Sequence, residues 1–299
     1  MNETVDDIPL PVLRHDLQLI EGPVALDGSP SWIIVDPLRN KYFSIGWTAF
    51  QLLSRWSIGK ASLLLEKVKQ ETTLDVSEED VESLLSFLHA NSLTLNPVSG
   101  SSDDYLEQYL AGKPNFLIWL VHNYLFIKIP LVKPTVFLRR TLVYVEPFFS
   151  STAAAIVLLI GLTGLYVVGR QWDEFTSTFL YFFNLQGLAF YFISLVFIKI
   201  LHELAHAYTV TRYGCKVPTM GVAFLVMFPL LYTDTSDTWR VRSALERVHV
   251  GAAGMIMEFY IACIATFLWG FLPDGIFKSA AFILATTSWT LSLLINSNA

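Results

Sequence analysis

The sequence predicts a mainly α-helical, polytopic membrane protein preceded by a small α+β soluble domain. Three observations carry that expectation. The 299-residue chain is 53% hydrophobic with a mean hydropathy of +0.49, which is unusual for a soluble domain of this length. Its second half gathers apolar residues into runs of about 20, the length that crosses a bilayer. Charge is also divided: residues 1–112 hold 7 Lys and Arg against 17 Asp and Glu, whereas residues 113–299 hold 13 against 9. An acidic part, net −10, therefore precedes a slightly basic one, net +4. The expected organisation is a soluble domain over 1–98, a linker and membrane-surface segment over 99–147, and a membrane-embedded domain over 148–299.

The amino terminus, MNETVDDIPL, is acidic and does not read as a signal peptide. Two β-rich runs, Trp32–Val35 and Tyr42–Ile45, flank a turn containing Pro37 and Asn40, which predicts a hairpin. Three helical patterns follow. Phe50, Leu53 and Trp56 lie at helical spacing, and ASLLLEKVKQ is a second amphipathic stretch. In the third, Ser77 is a candidate N-cap with Asp80 three residues on, ahead of Val81, Leu84, Leu85 and Leu88. A hairpin with three helices suggests a winged-helix-like domain. Its charge argues against a phosphate-binding face, so a peptide or protein partner is expected and nucleic acid is not.

SGSSDD (99–104) is a polar linker. Residues 115–147 mix aromatic and apolar residues with Lys128, Lys133, Arg139 and Arg140 and are broken by Pro130 and Pro134, a pattern expected at a membrane surface. Four spans are expected at about 148–169, 187–210, 251–272 and 279–296, with a short interfacial helix before the second and a break at NLQG (184–187). The apolar run 217–232 is short, bounded by Pro218, and basic on both flanks: Arg212 and Lys216 before it, Arg240, Arg242 and Arg247 after it. Basic loops favour the cytoplasm, so a re-entrant hairpin fits better than a crossing. The soluble domain and the carboxyl end then lie on the cytoplasmic side. Cys215 and Cys263 make no disulfide framework and are expected as free thiols, Cys215 a bystander in a basic loop.

The chemistry concentrates in the second span, at VFIKILHELAHAYTVTRYG (196–214). Ionisable groups are costly in hydrocarbon and mark function. One helical turn separates His202 from His206, so both imidazoles can reach one ion, and Glu203 lies beside them. This is the H-E-x-x-H arrangement of zinc hydrolases, in which two histidines bind zinc and the glutamate is the general base toward water. Lys199 lies on the same side as Glu203 and either snorkels or pairs with an acidic group.

LHELAH in a span, the apolar re-entrant segment, YTDTSDTW (232–239) and GAAGMIMEFYIA (251–262) together resemble the site-2 protease family of intramembrane zinc metalloproteases. The likeness is closest to its bacterial peptide zinc metalloprotease branch and covers nearly the whole chain. The soluble part resembles, more weakly, the winged-helix peptide-binding domains of ribosomal-peptide maturation systems. The resemblance implies a multi-pass bacterial cytoplasmic (inner) membrane hydrolase, with His202 and His206 as zinc ligands and Glu203 as base. It also implies neighbours among membrane-fusion adaptors and exporters, and hence peptide processing coupled to secretion. The family's third ligand is an Asp in a later span, in a motif resembling N-P followed a few residues on by F-D-G. In LLINSNA, Asn296 and Asn298 match the start of that motif, Ala299 stands where Pro is expected, and the Asp is absent. Substitutes within the chain are Glu258, eight residues into a span, and Asp234 and Asp237 after the re-entrant segment. Each also has a plainer reading, Glu258 as a polar bundle contact and the two Asp as caps or entrance residues. A rival function follows from the missing ligand: a non-catalytic membrane component that hands peptides to an exporter. A transporter is disfavoured, since no paired repeats are visible.

Overall fold

A computed structural model describes residues 9–24, 28–95, 126–181, 184–225 and 228–292. The chain divides into two compact units, one of residues 1–123 with 239–244, the other of 124–238 with 245–299.

The first unit pairs a three-stranded antiparallel sheet with three helices. β1 (Gln18–Glu21), β2 (Trp32–Asp36) and β3 (Lys41–Ile45) lie in that order, with Trp32 opposite Ile45 and Val35 opposite Tyr42. The expected hairpin is β2–β3; β1 was not expected, because QLIE is short and half polar. Helix α1 (Trp47–Ser54) ends before Trp56, which falls in a short 3-10 turn, so the predicted single helix is two pieces. Helices α2 (Ala61–Glu71) and α3 (Glu78–Ala90) follow. The Asp80 carboxylate accepts hydrogen bonds from the Ser77 backbone N–H and hydroxyl, closing the start of α3 as the spacing predicts. Leu52, Leu64, Val68, Leu84 and Leu88 meet Ile34 and Ile45 in one core. Beside it the fully buried Asp36 accepts from both Arg14 and Arg39, which removes the cost of an isolated buried carboxylate.

The second unit is helical with a small sheet. β4 (Phe126–Val132), β5 (Met220–Leu225) and β6 (Phe228–Thr233) form an antiparallel sheet in that order. Part of the segment expected at the membrane surface is thus a strand paired to β5, with Ile129 opposite Val222. The apolar 217–232 run is a β-hairpin, whose strands satisfy backbone groups that an apolar loop would leave unpaired. Helix α4 (Thr135–Val145) follows β4 and packs on the later helix over Leu185–Arg212, with Thr141 Oγ1 2.8 Å from Tyr208 Oη.

Three helices are long and apolar enough to cross a membrane: α5 (Ser151–Arg170), the Gly187–Arg212 stretch of α7 (Leu185–Arg212), and α8 (Ala244–Phe271). On α5, Ile156, Leu159, Leu162 and Leu165 are exposed, as lipid-facing side chains are. Its other face carries Gly161 and Gly164, packed directly on Cys263 and on the Phe267 backbone of α8. The short α6 (Trp172–Tyr181) precedes α7, and Asn184 caps α7 by accepting from the Gly187 N–H at 2.8 Å, placing the break where expected. The fourth expected span begins as α9 (Ile276–Thr290), a 15-residue helix against α7, and its predicted end at 293–296 lies outside the described residues.

Candidate metal centre

Helices α7 and α8 run past each other so that two stripes with one-turn spacing meet. Lys199, His202 and His206 on α7 face Glu258, Gly254 and Val250 on α8, in that order. Residues three and four apart share a helix face, so this opposition follows from the two spacings once the helices pack antiparallel.

Each imidazole is anchored at Nδ1. His202 Nδ1 lies 2.7 Å from Glu258 Oε1, and His206 Nδ1 lies 2.7 Å from the Val250 carbonyl oxygen. A carboxylate and a backbone carbonyl only accept hydrogen bonds, so both Nδ1 atoms carry the proton. With Nδ1 protonated, the Nε2 atom of a neutral ring is an acceptor, and the two Nε2 atoms face each other 3.1 Å apart. Two lone pairs at that separation repel unless a proton or a metal cation lies between them.

The pair fits zinc. With Zn–N bonds of about 2.05 Å and tetrahedral angles, two ligating nitrogens stand about 3.3 Å apart. An Nδ1–H donated to a carboxylate or a carbonyl is also the usual support of a zinc-ligating histidine. Gly254 supplies the room for it. A β-carbon there would overlap the His202 ring, so α8 can approach α7 this closely only at a glycine.

Glu203 borders a cavity of about 280 Å³, together with His206, Tyr232, Thr233 and Gly251. The hairpin is tied to this wall, because Thr233 Oγ1 donates to the Glu203 carbonyl oxygen at 3.0 Å. Base, one histidine and the end of β6 therefore share one opening.

The remaining candidates separate. Glu258 is fully buried, and its Oε1 also accepts from Lys199 Nζ at 2.8 Å, so Lys199 pairs with an acidic group, one of its two expected roles. Glu258 meets His202 on the Nδ1 side, away from the converging Nε2 atoms. Asp234 accepts from the Ser236 N–H and hydroxyl, and the buried Asp237 accepts from the Lys216 N–H at 2.6 Å. Neither joins the histidines: among the described residues no group of three His, Cys, Asp or Glu could hold a metal ion. Asn296 and Asn298 lie outside the described residues. Cys215 and Cys263 are both buried and in no disulfide. Sequence reasoning missed Val250, which acts through its backbone, and Gly254, although the four-residue spacing from Gly254 to Glu258 was there to be matched to His202 and Lys199. Comparison of the chain with protein families, curated proteins and solved structures finds no match.

Proposed function

We propose that the chain is an intramembrane zinc metalloprotease that hydrolyses a peptide or membrane-protein substrate near the cytoplasmic face of a bacterial inner membrane. The observation that carries this reading is the pair of anchored histidines, whose Nε2 lone pairs converge at 3.1 Å on a helix long and apolar enough to span. His202 and His206 would hold the ion, which supplies Lewis acidity toward a carbonyl and a lowered pKa for water. Glu203, which lines the adjoining cavity, takes a proton from water and returns it to the departing amine nitrogen. The hairpin end at Tyr232–Thr233 also lines that cavity and bounds the space for a peptide. The soluble domain, on the cytoplasmic side, presents a peptide or protein partner, which links hydrolysis to peptide maturation or export.

A second reading is a membrane component that binds peptides and passes them to an exporter without cleaving them. It is favoured by the two-ligand set, since a catalytic zinc ordinarily has three protein ligands. Zinc content and the Glu203→Gln variant separate the two. For the protease, purified protein carries zinc, and Glu203→Gln keeps the metal but cleaves a fluorogenic peptide library roughly 100-fold or more slowly. If the wild type retains no zinc and cleaves no faster than Glu203→Gln, the second reading stands.

A further inference from the structure

We propose that Lys199 and Glu258 are positioning residues of the histidine pair. The ion pair between them holds one carboxylate oxygen on His202 Nδ1, which turns the Nε2 lone pair toward His206. The significance for zinc rests on the protease reading; the effect on the imidazole does not.

Glu258 is fully buried in a helix long enough to span, where a carboxylate persists only with close partners. Two donors meet on its Oε1, Lys199 Nζ at 2.8 Å and His202 Nδ1 at 2.7 Å. A lysine that snorkelled would carry its ammonium toward the headgroups; Lys199 instead points across to α8. Its side chain is 30% exposed, so the pair joins a partly open cation to a closed anion. The ammonium completes the charge of Glu258 and pins the oxygen that His202 uses. Without it the carboxylate can rotate away from Nδ1, and either ring nitrogen can then carry the proton. Gly254, one turn from Glu258, leaves the room in which the ring lies. The functional unit therefore extends beyond H-E-x-x-H to a lysine three residues earlier and a Gly-x-x-x-Glu on the facing helix.

The test uses the full chain in lipid nanodiscs, stripped of metal, with nitrogen-15-labelled histidine to read the His202 tautomer, followed by titration with zinc alone. The wild type is expected to carry the proton on Nδ1. Lys199→Met is expected to give a tautomer mixture and zinc binding weakened about 10- to 100-fold, with Lys199→Arg restoring both. The double exchange Lys199→Glu with Glu258→Lys restores an ion pair between the helices but sets an ammonium against His202. It is expected to recover thermal stability while moving the proton to Nε2 and losing zinc. An unchanged tautomer and unchanged zinc binding in Lys199→Met overturn the proposal. So does recovery of zinc binding in the exchanged pair, which marks a tether between helices and nothing more. Should Lys199→Met fail to fold, the Arg variant and the exchanged pair decide alone. A wild type that binds no zinc defeats the protease reading, and the tautomer measurement still judges this one.

Discussion

Gly254 on α8 lies directly against the imidazole of His202 on α7, leaving no room for a β-carbon between helix and ring. Alanine there favours the helix by about 1 kcal/mol, so any loss in Gly254→Ala comes from the displaced ring and not from the backbone. The expected outcome is zinc binding weakened at least about 10-fold with helical circular dichroism unchanged. Metal analysis beside the spectrum checks it; wild-type zinc binding would mean the contact does not set the ring.

Much of this site is local and therefore legible in the sequence. One helical turn places His202 and His206 on a common face whatever surrounds them, and the apolar context marks the helix as long and apolar enough to span. What was hidden depends on which residues of α8 meet α7. Val250 contributes only a carbonyl oxygen, which any residue possesses. The Lys199–Glu258 pair was open from either side alone, as snorkelling or pairing and as ligand or bundle contact, until the antiparallel register joined them. The same limit explains β4, whose apolar and basic run reads as membrane-surface segment because its pairing partner β5 lies about 90 residues away. Trp56 fell outside α1 for a different reason: the backbone leaves the helical conformation at Arg55, with φ of −114° and ψ of 11°, and Trp56 then opens a 3-10 turn that Gly59 closes at φ of 78°.

Gly164 on α5 faces the Phe267 backbone, and Gly161 faces Cys263. Backbone cannot move aside as a flexible side chain can, so Gly164→Val forces the two helices apart. Overpacking of this kind costs about 1–3 kcal/mol. A lower melting temperature in detergent is expected, together with faster labelling of the buried Cys263 by a membrane-permeant maleimide. Unchanged labelling would show that α5 does not cover that thiol.

In the first unit, burial opposes the charge of Asp36, but hydrogen bonds from Arg14 and Arg39 outweigh it and hold the carboxyl at about 2, against 3.8 ordinarily. A folded value below the unfolded one means the stabilisation is complete above the unfolded value and is lost as pH falls through the folded one. The window is therefore about pH 4 down to 2, and the loss is about 2 kcal/mol. Hydrogen exchange of the β2 and β3 amides, corrected for its intrinsic pH dependence, should show protection falling across that window. In Asp36→Asn, protection should be lower at neutral pH and should lack this component of the acid dependence.

Asp234 and Asp237 follow the hairpin and are the nearest acidic residues in sequence to its cavity-lining end, yet each carboxylate already holds backbone structure. Asp234 binds the Ser236 N–H and hydroxyl, and Asp237 binds the Lys216 N–H across the base of the hairpin. Their substitutions should therefore part stability from metal. Asp237→Asn weakens a charge-assisted bond to a backbone donor, worth about 1.5–3 kcal/mol, and should lower the melting temperature. Asp234→Ser keeps a hydroxyl acceptor at the turn and should change stability less. Neither should alter zinc stoichiometry, whereas His202→Ala and His206→Ala should each abolish it. Metal analysis of the four variants at matched folding checks this, and zinc lost from either Asp variant while the fold is retained would make that carboxylate a ligand after all.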